Sequence, residues 1–178
     1  MLEALNARRR RPETICGLTV VELLVVVAIL AILLALAIPF SSTYLAQGRL
    51  GGAAEALAQD LQLAKSEALR RNADVTISFS SGSTWCYGSV VGATACNCTV
   101  AGSCTMRRVD QNAYTGVTMA APTFTGSAAT FTSRQGLANA GAVEFSHPNA
   151  GTLRVSLGVA GRVSICSTAG ALAHHPAC

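Results

Sequence analysis

The residues of this chain best suited to chemistry are its seven cysteines and three histidines. Cys86, Cys96, Cys98 and Cys104 fall within nineteen residues of one another, Cys166 and Cys178 stand together further on, and Cys16 is far from both groups. Thiols placed this way either close disulfides or hold a soft metal ion. Cys96-Asn97-Cys98 and His174-His175 are zinc-ligand types, but their spacing matches no common zinc pattern, so neither a metal nor any other cofactor is expected. His147 and the serines form no Gly-x-Ser-x-Gly elbow, and there is no phosphate loop or His-Glu-x-x-His helix. The chain is not expected to be an enzyme, and no catalytic residue is assigned.

One carboxylate stands where it is costly. From residue 18 to residue 40 the sequence is apolar except for Thr19, Glu22 and Pro39. As a helix, residues 23–40 would rise ~27 Å, close to the hydrocarbon thickness of a membrane. A carboxylate at the centre of such a helix costs about 2.5–3.5 kcal/mol, so it usually marks a function. The run Arg8-Arg9-Arg10-Arg11 precedes the apolar stretch. It predicts a cytoplasmic N-terminus and an exported remainder. A secretory signal cut near Ala35-Leu36-Ala37 is the competing reading, and the length of the run and the presence of Glu22 stand against it.

Composition sets the outer bounds. With 51% hydrophobic and 12% charged residues the chain is not intrinsically disordered. Roughly 135 residues remain beyond the apolar run, enough for one domain with its own core. Two large domains or a polytopic transporter will not fit.

The stretch Gly17-Leu18-Thr19-Val20-Val21-Glu22-Leu23 resembles the class III signal of type IV prepilins and pseudopilins. That resemblance implies a prepilin peptidase cutting between Gly17 and Leu18, followed by N-methylation of Leu18, with Glu22 as the fifth mature residue. Leu18 departs from the phenylalanine usual at the first mature position. The new α-amine is charged at neutral pH. Paired with Glu22 across packed subunits, it would set the register of a filament, because either charge alone is costly to bury. Pro39 removes a backbone donor and is expected to kink or loosen the helix, and pilin families carry a proline here.

Past Pro39 the helix is expected to continue to residue 71. Leu50, Ala54, Leu57, Leu61, Ala64 and Ala68 recur at spacings of three and four, making one apolar stripe. Glu55, Gln59, Gln62 and Glu67 lie largely off it. Gly48, Gly51 and Gly52 are weak points, each about 1 kcal/mol worse than alanine. The segment 56–68 is also similar to the helix end of the GspH/FimT branch of pilin-like proteins. From residue 72 the texture becomes short strands and turns, with candidates at 75–79, 85–87, 106–109, 117–119 and 142–146. Residues 115–142, rich in Gly, Ala, Ser and Thr, read as strands joined by long loops.

The last hairpin can be registered. Leu153, Val155 and Leu157 face one way, with Val163 and Ile165 as the apolar face of the return strand. A three-residue loop, Val159-Ala160-Gly161, sets Leu157 opposite Val163 and Val155 opposite Ile165, with Gly161 in the left-handed position. That register puts Arg154 and Arg162 on one solvent face. The GspH/FimT family has a Gly-Arg-x-Arg stretch here, and in its competence-linked members such arginines bind DNA. In this chain Gly161-Arg162-Val163-Ser164 keeps the first arginine and loses the second. Arg107 and Arg108 are the other candidates for DNA contact. Without the leader, nine basic residues face seven acidic ones, a net +2, so any DNA binding is expected to be weak.

Leader removal also takes Cys16. Six cysteines in an exported domain imply disulfides, with fifteen pairings open. Position makes Cys166 with Cys178 the first choice, and the other four are expected to staple a loop. The fold expected is α+β: a prepilin leader at 1–17, a long helix at 18–71 with its first half in the membrane, and an antiparallel, sandwich-like β domain at 72–178. The function expected is that of a minor type IV pilin of the FimT/FimU kind, working in pilus assembly. The alternatives are a GspH-type pseudopilin of type II secretion and a DNA-binding competence pilin. The partners are the prepilin peptidase, other pilins or pseudopilins, and the inner membrane before assembly, with the domain in the periplasm.

Overall fold

The apolar stripe and the alternating strands assemble around one core. The computed structural model describes residues 19–169 and 175–178, with backbone alone at 35–41 and 169. The chain divides into two compact units, Met1–Pro39 and Phe40–Cys178. Helix α1 (Val20–Arg71) contributes to both, and Gly48, Gly51 and Gly52 do not interrupt it. In the second unit it is followed by eight strands: β1 (Val75–Ser80), β2 (Cys86–Val91), β3 (Arg107–Asp110), β4 (Thr118–Met119), β5 (Ala128–Phe131), β6 (Gly141–His147), β7 (Gly151–Leu157) and β8 (Val163–Ala169).

The strands form two four-stranded sheets, ordered β3-β2-β1-β5 and β4-β6-β7-β8, and every pairing between neighbours is antiparallel. The stripe of α1 closes the core. Leu50, Leu57 and Leu61 are buried there with Ala54, Ala64 and Ala68. Each leucine contributes about 1.5–3 kcal/mol by leaving water. Both sheets share this core: Trp85, just ahead of β2, stands edge-on to Phe145 of β6 at 5.2 Å. The indole nitrogen of Trp85 donates to the Val117 carbonyl at 2.8 Å, so the buried donor is satisfied.

The expected hairpin register holds. Leu157 pairs with Val163 and Val155 with Ile165, and Gly161 takes φ +68°. The N–H of Gly158 donates to the Arg162 carbonyl at 2.9 Å, closing a three-residue loop. Two features differ from expectation. Strand β2 runs on to Val91 through Gly88 and Ser89, residues that local preference disfavours in strands. Strand β5 lies in the stretch read only as strands and loops, and its alanine-rich sequence becomes a strand by pairing with β1.

Among the described residues three disulfides form: Cys86–Cys98, Cys96–Cys104 and Cys166–Cys178. The first two fold the β2–β3 connection back onto the face of its sheet opposite the helix. Cys104 sits where a side chain on Gly88 would be, its sulfur 2.5 Å and its Cβ 2.7 Å from the Cβ position. The third bond holds the segment 175–178 beside β8, where the Ser167 N–H donates to the Pro176 carbonyl at 2.8 Å and the Cys178 N–H to the Ser167 carbonyl at 3.0 Å.

Two glycines should therefore respond in opposite directions to one methyl group. Gly88→Ala has to displace a cross-linked cysteine and should cost about 1–3 kcal/mol. Gly51→Ala, with nothing within 4 Å of its Cβ position, should gain up to about 1 kcal/mol from helix preference. Urea unfolding of the two oxidised variants against wild type measures both.

Candidate functional site

The first feature is the start of α1. Thr19 caps it: its hydroxyl accepts the Glu22 N–H at 3.2 Å and its carbonyl accepts the Leu23 N–H at 3.1 Å. Thr19-Val20-Val21-Glu22 thus has the spacing of a capping box, and the carboxylate sits in the first turn, where the helix dipole favours it. The carboxylate itself has no partner among the described residues. Every large apolar side chain from residue 20 to residue 34 is 45–75% exposed, on all sides of the helix. A helix apolar all round has to be covered by lipid or by other protein. Among the described residues no helix is long and apolar enough to cross a membrane. The apolar side chains described stop at Leu34, short of the roughly 20 residues a bilayer needs. Gly17 and Leu18 lie outside the described residues. Pro39 falls inside α1, at the division between the two units.

The second feature is a buried charge cluster that the sequence reading passed over. Asp60 lies on the buried stripe of α1, between Leu57 and Leu61, and is only 7% exposed. The Tyr87 hydroxyl of β2 donates to its Oδ2 at 2.8 Å, and Arg107 Nε of β3 lies 2.9 Å from the same oxygen. Burial pushes the Asp60 carboxyl up from 3.8, and the bonds from Tyr87 and Arg107 oppose that shift. Burial, then the Asp60 charge, pushes the Tyr87 hydroxyl far above its ordinary range. The helix is thereby tied to the strands on either side of the disulfide loop. A carboxylate at a position of the apolar stripe was the available signal.

The third feature is the set of arginines singled out for DNA. Arg154 is paired across strands with Glu144, its Nε 2.8 Å from Oε1. Arg107 is held by Asp60. Arg108 lies 3.3 Å from Asp110 and donates through Nε to the Cys98 carbonyl at 2.6 Å. Arg162 is exposed at the end of the β7–β8 loop and its guanidinium has no partner among the described residues, and Ser164 beyond it is exposed as well. Arg107 and Arg108 belong to one sheet and Arg154 to the other. Cys96 and Cys98 are both in disulfides, and no group of three or more metal-ligating residues occurs among the described residues.

A helix with an uncovered apolar end, carrying an antiparallel β domain stapled by disulfides, is the build of a pilin-like subunit. Residues 53–169 match the family described as type II transport protein GspH, and the chain belongs to that family. Its fold is similar to that of the type IV minor pilin FimU of Pseudomonas aeruginosa strain PAO1, seen in two crystal forms. In the first the TM-score is 0.50 at 22% identity, covering 69% of this chain and 93% of FimU. In the second the same score and identity cover 68% and 97%. No curated protein matches the chain closely.

The Asp60 cluster makes a pH-dependent prediction. A carboxyl whose folded pKa is raised favours the fold most when protonated. That contribution is present below pH 3.8 and is lost as pH rises through the folded pKa. Tyr87→Phe removes a bond that holds the pKa down. It should cost about 1.5–3 kcal/mol at neutral pH and less below pH 3.8. Urea midpoints of wild type and Tyr87→Phe at the two pH values check the difference, and Asp60→Asn should flatten the pH dependence.

Proposed function

We propose that this protein is a minor type IV pilin, anchored in the bacterial inner membrane before it enters a filament. The observation that carries this reading is the uncovered apolar start of α1 with an unpartnered carboxylate in its first turn. In a lone chain in water that surface has no favourable place. Among parallel helices, the apolar side chains bury one another and Glu22 meets the α-amine that cleavage after Gly17 creates on a neighbour's Leu18. FimU, whose fold the chain shares, is itself a type IV minor pilin.

A second reading, a pseudopilin of type II secretion, is favoured by the description of the matching family. Both readings place the protein in a helical filament with other pilin-like subunits and need the same processing. DNA contact is left out of the proposal, because three of the four arginines considered for it already carry carboxylate partners.

Mass spectrometry of the membrane-extracted protein should find N-methyl Leu18 as the first residue, and a first residue after Ala37 would overturn the proposal. Glu22→Ala should insert into the membrane at least as well as wild type. It should be depleted roughly tenfold or more from sheared filaments, consistent with the loss of a buried ion pair. Deletion of this protein alone should reduce pili and leave secretion intact on the first reading, and reduce secretion with pili intact on the second.

A further inference from the structure

Of the arginines and the lysine in the second unit, two have no bonded partner for their side chains among the described residues. Within the unit Phe40–Cys178, Arg70 and Arg71 are held by Glu67, Arg107 by Asp60, Arg108 by Asp110 and Arg154 by Glu144. Arg49 donates to the Thr115 carbonyl at 3.4 Å. Arg134 and Arg162 are exposed, and their guanidinium groups have no partner among the described residues. They stand on two loops that interlock. The Ala138 N–H, just past the Arg134 turn, donates to the Val159 carbonyl of the β7–β8 loop at 2.9 Å. The Gly136 carbonyl lies 2.9 Å from the Cβ position of Gly161, which leaves no room for a side chain between them.

Lys65 of α1 pins both loops. Its Nζ donates to the Ala160 carbonyl at 2.8 Å, and its stem packs against Gly136 and Gly161. Asp74 places a carboxylate beside the Arg134 turn without bonding Arg134: its Oδ1 accepts the Ser133 N–H at 2.9 Å. The two arginines thus stand on loops bound to each other and to Lys65, with no carboxylate bonded to either.

We propose that Arg134 and Arg162 form one contact point that takes carboxylates of an adjoining filament subunit. This rests on the filament reading above. Exposed ion pairs are worth only about 0.2–1 kcal/mol each, so two together supply about 2 kcal/mol at most, and the interlocked loops spare the further cost of ordering backbone. A polyanion is the poorer fit. Affinity for nucleic acid grows with the number of phosphates neutralised, and here two free cations stand on a mature chain of net +2.

The test uses the full chain in cells that assemble filaments. Double charge reversal, Arg134→Glu with Arg162→Glu, should lower the protein in sheared filaments roughly tenfold, while its cellular level and disulfides stay as in wild type. Arg162→Lys supplies an amine at the same place without altering the charge. Zero-length carbodiimide treatment of filaments carrying that variant should join the amine to an Asp or Glu of another subunit, located by mass spectrometry. Incorporation of the double reversal at wild-type levels, or no such cross-link in filaments that contain the Arg162→Lys protein, overturns the contact and leaves the filament reading standing. Absence of the wild-type protein from filaments overturns both. Loss of duplex DNA retention by the double reversal, with incorporation unchanged, assigns the contact point to nucleic acid and overturns the proposal.

Discussion

Burial of one stripe of α1 beneath both sheets is the interaction on which the rest of the domain depends. The eight strands are short, and β4 has only two residues. Sheets this small need a face packed against another element to be stable. The leucines and alanines of the stripe supply that surface for both sheets at once, since residues from all three elements meet in one cluster. Beyond Glu22 the same helix is apolar on every side as far as residue 34. One helix therefore carries two kinds of surface: a narrow stripe already satisfied within the chain, and a full cylinder that is not.

The charged residues follow from that packing. Asp60 is under the sheet because its place on the stripe puts it there, and Tyr87 and Arg107 meet it because strand alternation puts both on the helix-facing side, Tyr87 opposite Val109 and Arg107 opposite Ser89. Alternation turns Arg108 and Asp110 the other way, towards the disulfide loop, where Arg108 bonds the Cys98 carbonyl. Two adjacent arginines thus brace opposite faces of one strand.

What was legible in the sequence was local. The helix stripe, the β7–β8 register and the Cys166–Cys178 bond all lie within a few turns or one hairpin, where periodicity and spacing speak directly. The β5 strand was not legible, because its alanines become a strand only by lying beside β1, some fifty residues earlier. Arg154 looked like a free surface cation because Glu144 is its neighbour across β6, a pairing that depends on strand order. Asp60 was missed for the opposite reason: a charged residue on an apolar stripe was passed over, when its position was itself the sign that partners existed.

The segment held by Cys166–Cys178 lies along the outermost strand of its sheet. An outermost strand offers unpaired amides and carbonyls to any extended chain, which makes it a template for aggregation. Here the Ser167 amide and carbonyl are both already engaged by the chain's own 175–178 segment. Pro176 has no N–H to donate, so this added ladder cannot continue past it towards Ile165. With the thiols reduced, the main chain and these hydrogen bonds are left to hold that guard in place. Oxidation of one cysteine pair therefore helps keep the Ser167 stretch of this border closed to stray strands.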